Sequence, residues 1–302
     1  MAVVPATRPE MFDVLCKAVE DAGATLSPPE TAEGLVWADP SAADLFPEIS
    51  KNAPRLEWIQ LPYAGIEPFA NYLDSQWTWS CGKGVYAREV AETALSLSLA
   101  GLKNLHGYAR ATSWSGPVGQ VLGDSKVCIL GAGGITQCLL PLLAPFGCDI
   151  TVVRRRNESI DGANRTVSTA RLLEILPRTD LLILALSLTN ETRGIINKQT
   201  LSALPNHAWV VNVARGGHIV TDDLLNALQE GTIGGAALDV TDPEPLPDHH
   251  PLWNEPRCLI TPHIGNTPEM GLRVLGPFIS ENVRRFCNDE PLLGLVDVNL
   301  GY

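Results

Sequence analysis

Residues 126–136 read KVCILGAGGIT, and no other stretch constrains the fold as tightly. An apolar run stops at Gly131-Ala132-Gly133-Gly134, and a helical apolar pattern opens at Ile135. A strand that ends in a glycine turn and starts a helix offers free N–H groups and the positive end of the helix dipole to a phosphate. The first glycine permits the tight turn; the second lets a pyrophosphate approach the backbone. In that strand–turn–helix setting the motif points to a dinucleotide. Thr136 stands where a third glycine is usual, which predicts a helix riding farther from its strand. Pro141 removes one helical hydrogen bond and predicts a kink.

Regular alternation follows. Strands are expected over 126–130, 149–153, 180–186, 209–213, 235–240 and 258–261, and helices over 135–146, 169–176, 198–203 and 221–229. Six strands joined by crossovers imply a doubly wound parallel sheet, with ligands outside the carboxyl ends of its strands. Upstream, a helix at 14–20, a strand at 34–37, a helix at 42–49 and a strand at 56–61 form a smaller α/β unit. A long helix is expected over 84–105, with Glu92 set in its apolar face, and a last helix over 268–286. The segment 291–300 then returns to the first unit. The expected division is 1–80 with 270–302, and 81–269.

The chain has 302 residues, enough for two modest cores. With 22 basic and 34 acidic residues its net charge is −12, which argues against a nucleic-acid or anionic-membrane surface. Any anionic ligand must be held by a few placed cations. Seven scattered cysteines without a CxxC suggest reduced thiols in a cytoplasmic protein rather than a disulfide frame or metal site. No secretory leader and no membrane span are expected.

Three polar residues stand just past apolar runs in the second half: Arg215 after VVNVA, Glu244 within DVTDPEP and His263 after LITP. A fixed cation, a carboxylate and an imidazole together suit a carbonyl substrate that also carries an anion. The second strand of the large sheet ends in Arg154, Arg155 and Arg156, where an acidic residue would bind ribose hydroxyls. Arginines there attract a 2′-phosphate, which favours NADP over NAD. Gly65, past the strand at 56–61, can present bare backbone N–H groups to an anion or serve only as a turn residue.

These motifs resemble the D-2-hydroxyacid dehydrogenase family. The resemblance rests on GAGGI at 131–135, TNETRGIIN at 189–197, NVARGGHIVTDDLL at 212–225, GAALDVTDPEPLP at 235–247 and LITPHIG at 259–265, in the family's order. It implies two Rossmann-like domains: a cofactor domain, and a smaller flavodoxin-like substrate domain built from both chain ends. It further implies that Arg215 binds the substrate carboxylate, His263 is the acid/base, and Glu244 raises the histidine pKa. The cofactor would lie against Gly131, Gly133, Gly134, Ile135, the three arginines, Leu186, Thr192, Val213, Ala214, Asp239, His263 and Gly265. Asp239 would hydrogen-bond the nicotinamide amide. Tyr63, Ala64 and Gly65 would join Arg215 and His263 in holding the substrate. The motifs are most similar to the glyoxylate/hydroxypyruvate reductase branch, implying a small 2-ketoacid and its 2-hydroxyacid as substrates. A homodimer through the helix at 90–105 and the loop after it is implied as well. A phosphoglycerate dehydrogenase-like enzyme, with Lys51, Arg55 and Lys83 for a phosphate, and a non-enzymatic corepressor-like dinucleotide sensor are the alternatives. Trp37, Tyr63 and Trp253 are expected to bound the substrate pocket, whereas His106, His207, His218, His249 and His250 have no assigned chemistry.

Overall fold

The computed structural model describes residues 1–156 and 158–301. It separates into two compact units, Met1–Tyr86 with Thr267–Tyr302, and Ala87–Asn266. The first unit keeps residues 81–86 because the Cys81 N–H donates to Gly294 O at 2.9 Å and the Tyr86 hydroxyl to Pro62 O at 3.0 Å.

The smaller unit is a parallel sheet of four strands, β1 (Ala2–Val4), β2 (Gly34–Trp37), β3 (Trp58–Gln60) and β4 (Thr78–Ser80). They lie in simple chain order β1-β2-β3-β4, with Gly34 opposite Trp58 and Gln60 opposite Ser80. All carboxyl ends therefore share one edge. β1 and β4 are not among the expected strands: the apolar run at β1 is cut off by Pro5, and Thr78–Ser80 holds a single apolar residue. The expected helix at 42–49 is a 3-10 turn, Pro40–Leu45, capped by the Asp39 carboxylate, followed by a short α-helix, Phe46–Lys51. One face of the sheet buries an aromatic cluster in which Trp37 meets Phe69 edge-on at 5.3 Å. Trp37 is wholly buried there and bounds no pocket, contrary to expectation, because its indole N–H is spent on Asp39 O at 2.6 Å.

Beneath the sheet runs a buried polar network. Trp58 Nε1 donates to Ser80 Oγ at 2.8 Å, and Ser80 Oγ donates to Gln60 Oε1 at 2.7 Å. Asn282, on the last helix (Pro268–Cys287), donates to the same Gln60 oxygen at 2.6 Å and to Leu293 O at 3.0 Å, and accepts the Leu293 N–H at 2.8 Å. Each polar atom here has a partner, as burial requires.

The larger unit holds seven parallel strands: β5 (Lys126–Leu130), β6 (Asp149–Arg154), β7 (Arg165–Ser168), β8 (Leu181–Leu184), β9 (Trp209–Asn212), β10 (Gly235–Leu238) and β11 (Cys258–Ile260). Their order is β11-β10-β9-β8-β5-β6-β7, so the winding reverses between β5 and β8. Six strands were expected; β7 is the addition, an edge strand whose Arg-Thr-Val-Ser sequence carries no apolar run. β8 to β10 are buried along their whole lengths because helices cover both faces of the sheet.

Three local expectations change. Thr136 does not hold its helix off: it is fully buried, and its hydroxyl donates to Gly131 O at 2.9 Å, closing the turn from inside. Pro141 lies within the helix Gly134–Leu143, which continues past it before tightening to a 3-10 turn at Ala144–Phe146. The long helix is Ala87–Leu102, ending before Asn104, whose φ of 52° breaks it from a second helix at Leu105–Arg110. Its buried residues are Ala87, Ala91, Ala94, Leu97, Ser98, Gly101 and Leu102. Glu92 lies on the solvent side, paired with Arg88 one turn earlier at 3.4 Å, so it interrupts no apolar face.

Candidate active site

The carboxyl ends of β5, β9, β10 and β11 carry the candidate residues of the larger unit. At β5, Gly131 has φ +107°, and a Cβ there would stand 2.1 Å from Ala185 O, so only glycine fits. Its N–H donates to Val153 O at 2.8 Å, tying the turn to β6. Gly133 is the N-cap residue of the next helix and supplies no side-chain cap. A Cβ on Gly133 would meet nothing within 4 Å. First-turn amides facing open space, at the reversal point of a doubly wound sheet, are the donor set a pyrophosphate requires. The residues fit a dinucleotide.

Around this cradle, Ile135 and Leu186 are half-buried, and Val213 and Ala214 are buried just past β9. Thr192 spends its hydroxyl within its own loop, donating to Ser187 O and accepting from the Thr189 N–H, both at 2.8 Å. At the end of β6, Arg154 pairs with Glu158 at 3.3 Å, whereas Arg155 and Arg156 are exposed.

The loop after β11 is built on Asp239, which follows β10 and is only 2% exposed. Asp239 Oδ1 accepts from Thr261 Oγ1 at 2.6 Å and from the Ile264 N–H at 2.8 Å; Oδ2 accepts from the Gly265 N–H at 2.8 Å. The Asp239 main-chain oxygen accepts the His263 N–H at 2.9 Å. These bonds enclose His263, whose φ of 54° is left-handed and unusual for a residue with a side chain. A strained backbone of this kind persists only where its surroundings over-determine it.

So held, His263 Nδ1 lies 2.6 Å from Glu244 Oε1. Glu244 stands between two cis peptide bonds, Asp242–Pro243 and Glu244–Pro245, and its other oxygen accepts the Thr241 N–H at 3.4 Å. The hydrogen bond to Glu244 raises the His263 pKa above its ordinary value; burial and the Arg215 charge oppose the rise without cancelling it. Reciprocally, the bond to His263 holds the Glu244 pKa below the usual carboxylate value, aided by Arg215. The Arg215 charge is thus felt by both partners, and the three catalytic candidates fall in one place.

Arg215 follows β9. Its Nη1 donates to Ala214 O at 2.7 Å, and its main-chain oxygen accepts from Asn212 Nδ2 at 2.9 Å. Asn212 also accepts the Ala214 N–H at 3.0 Å, and His218 Nδ1 contacts Arg215 O at 2.9 Å. Gly216 packs so closely that a Cβ would stand 1.8 Å from Thr241 O. Sequence reasoning missed Asn212, His218 and Thr261. An asparagine closing an otherwise apolar strand was the available signal for the first; His218 and Thr261 give none before folding.

Tyr63, Ala64 and Gly65 belong to the smaller unit, past β3. Gly82 N donates to Tyr63 O at 3.2 Å. Among the described residues, neither the Ala64 nor the Gly65 N–H meets an acceptor. Gly65 does not have positive φ, so a turn does not require it. Trp253 is 41% exposed in the larger unit, its indole on Pro247 O at 2.9 Å. Arg55 is paired with Glu33. Burial pushes the Cys128 and Cys258 thiols up to about 12, so neither is a nucleophile. No cluster of three or more His, Cys, Asp or Glu able to hold a metal occurs among the described residues. Among those residues, no helix is long and apolar enough to cross a membrane.

A glycine cradle at the switch point of a doubly wound sheet, with an imidazole–carboxylate pair and a cation at neighbouring strand ends, defines a nicotinamide-dependent dehydrogenase. The chain belongs to the D-isomer specific 2-hydroxyacid dehydrogenase family, whose NAD binding domain matches residues 93–265. An uncharacterized protein from Corynebacterium melassecola is 39% identical over 270 residues, covering 86% of this chain and 88% of its own. The glyoxylate/hydroxypyruvate reductase A of Klebsiella pneumoniae is 36% identical over 219 residues, covering 71% of this chain and 69% of its own. Among solved structures, a D-isomer specific 2-hydroxyacid dehydrogenase from Xanthobacter autotrophicus, in complex with NADPH and MES, superposes with a TM-score of 0.85. It is 25% identical, covering 100% of this chain and 98% of that one. An NADPH-dependent glyoxylate/hydroxypyruvate reductase from Sinorhizobium meliloti, in complex with NADP and sulfate, gives 0.80 at 26% identity, covering 100% and 99%.

The pair has a definite pH window. His263, with its raised folded pKa, contributes stability below its unfolded pKa and loses it as pH rises through the folded one; Glu244, with its lowered folded pKa, contributes above its unfolded pKa and loses it as pH falls through the folded one. The ion pair is therefore complete between those two folded values. Glu244→Gln removes its negative half. Titration of the His263 ring by NMR should then give a lower pKa than in the wild type, and an unmoved value would dissociate Glu244 from the shift.

Proposed function

We propose that the protein reduces a small 2-ketoacid of the glyoxylate/hydroxypyruvate type to the D-2-hydroxyacid, with NADPH as reductant. The observation that carries this reading is the 2.6 Å contact between His263 and Glu244 in the field of Arg215. It is an acid whose pKa is raised, in the field of a cation able to bind a carboxylate. The bound nicotinamide supplies a hydride to substrate C2. Arg215 binds the carboxylate through its planar fork and polarises the carbonyl. His263 delivers a proton to the carbonyl oxygen, so ketoacid, hydride and proton give the hydroxyacid. Glu244 keeps the imidazole charged until that transfer. In the smaller unit the Ala64 and Gly65 N–H groups, which meet no acceptor among the described residues, are that unit's donors for a substrate carboxylate, with Tyr63 beside them. In this reading the smaller unit is the substrate domain and the larger the cofactor domain, with Asp239 assigned to the nicotinamide amide.

Kinetics with glyoxylate, hydroxypyruvate and other small 2-ketoacids, each with NADPH and NADH, test the reading. His263→Ala should lower kcat by a factor of at least about 10²–10⁴ while NADPH affinity changes little. Full turnover without this side chain would remove it from the mechanism.

The cofactor preference rests on the arginines past β6, supported by the NADPH and NADP complexes of the two structural relatives. Arg155 and Arg156 are the two solvent-exposed cations there, whereas Arg154 is half-buried. Replacing both with serine should cut kcat/KM for NADPH about tenfold or more relative to NADH. An unaltered ratio would assign them to the solvated surface.

A homodimer through the Ala87–Leu102 helix and the segment after it is part of the proposal. That segment leaves Trp114, Val118 and Val121 solvent-exposed at 101%, 62% and 68%. Exposed apolar groups at such density mark an interface more often than a bare surface. Sedimentation should show about twice the 32.5 kDa chain mass; a species of 32.5 kDa alone would exclude the dimer. Cytoplasmic residence belongs to the same reading, supported by seven cysteines that are all free thiols.

A further inference from the structure

The carboxyl edge of the four-stranded sheet gathers a second polar cluster, of which the roles above use only Tyr63. After β1 comes Arg8, after β2 Asp39, and after β3 Tyr63. Arg8 Nε lies 3.0 Å from Asp39 Oδ1, and the two side chains are 47% and 7% exposed. Asp39 is fixed: it accepts from Thr7 Oγ1 at 2.7 Å, from the Ser41 N–H at 3.0 Å and from Ser41 Oγ at 2.6 Å. Burial raises the Tyr63 pKa, with the Arg8 charge opposing the rise, so the phenol stays neutral in the field of that guanidinium. The Tyr63 ring rests against Tyr86 at 5.8 Å, and Tyr86 is hydrogen-bonded to Pro62 O at 3.0 Å. An anchored, half-exposed guanidinium therefore shares one sheet edge with the Ala64 and Gly65 N–H groups, which meet no acceptor among the described residues.

We propose that Arg8, oriented by Asp39 and adjoining Tyr63, is the residue that selects 2-ketoacids bearing a hydroxyl on C3. The inference rests on the reading that Ala64 and Gly65 grip the substrate carboxylate. A three-carbon acid held there by C1 directs C3 along the Tyr63 ring toward the Arg8 N–H groups. Five donors fixed in one plane leave Arg8 able to serve both Asp39 and a substrate oxygen. Asp39 neutralises the cation and adds an acceptor, so the pair matches a group that both donates and accepts. A phosphate or second carboxylate on C3 would meet the Asp39 charge as well, and like charges at close range disfavour it. A methyl on C3 would leave the donors unpaired, which is how a site built for a hydroxyl rejects the analogue lacking one.

The test is the ratio of kcat/KM for hydroxypyruvate to that for pyruvate, which lacks only the C3 hydroxyl, in wild type and in Arg8→Leu. The wild type should favour hydroxypyruvate, and Arg8→Leu should lower the ratio about tenfold or more. A purely structural Arg8 would depress both substrates alike, and an unmoved ratio in folded protein would overturn the assignment. Should Arg8→Leu fail to fold, Arg8→Lys keeps the charge without the fork; its ratio should fall at least about threefold, and an unmoved one would equally overturn the proposal. A wild type that reduced neither acid would instead overturn the functional reading, and this assignment with it.

Discussion

The Asp239 carboxylate is the constraint on which the chemistry of the larger unit depends. It is buried at the end of β10, and three hydrogen bonds bind it to the loop after β11. A buried carboxylate without such partners would be costly, so these bonds and the burial require one another. Together they impose the left-handed backbone of His263, which alone would be disfavoured by about 1 kcal/mol or more. The imidazole reaches Glu244 because its main chain cannot relax.

A similar economy governs Arg215. Its main-chain oxygen is held by Asn212 and contacted by His218, while Gly216 allows the following turn to touch Thr241. The same Thr241 donates its N–H to Glu244. Arginine, glutamate and histidine are thus set by neighbouring main-chain segments at the ends of β9, β10 and β11, and not by contacts among themselves alone. Electrostatics then completes the arrangement. The carboxylate raises the imidazole pKa more than burial and the guanidinium lower it, leaving an acid of raised pKa in the field of a cation.

Most of the architecture could be read from the chain because buried parallel strands are continuous apolar runs: β5 has the expected limits, and β8 to β11 lie within theirs. What stayed hidden was short or polar. The run at β1 is cut off by Pro5, β4 holds one apolar residue, and β7 is an edge strand with an ordinary polar sequence. Glu92 misleads because small residues on several sides of this helix blur which side is buried: Ala91, Ala94 and Ser98 face inward, and Glu92 faces solvent beside Arg88. At the site, Arg215, Glu244 and His263 were visible as polar residues where apolar runs end. Asp239 was visible too, but its hold on residues 261–265 depends on register between β10 and β11, which no local pattern records. Arg8 was overlooked because an arginine before a Pro-Glu pair reads as an ordinary helix start; its partner Asp39 is 31 positions away.

The network beneath the smaller sheet bears on how the chain is made. Gln60 and Asn282 are 222 positions apart, and each needs the other to bury its amide. Val296 N donates to Trp79 O at 2.9 Å, so the far end of the polypeptide also closes the edge beyond β4. During synthesis on the ribosome the first 86 residues therefore lack the helix and strap that complete them. The intervening dinucleotide module, continuous in the chain, has all its strands earlier. Residues 1–86 must wait, partly assembled, until residues 268–296 have been made, and a nick before Asn282 strips a buried partner from Gln60.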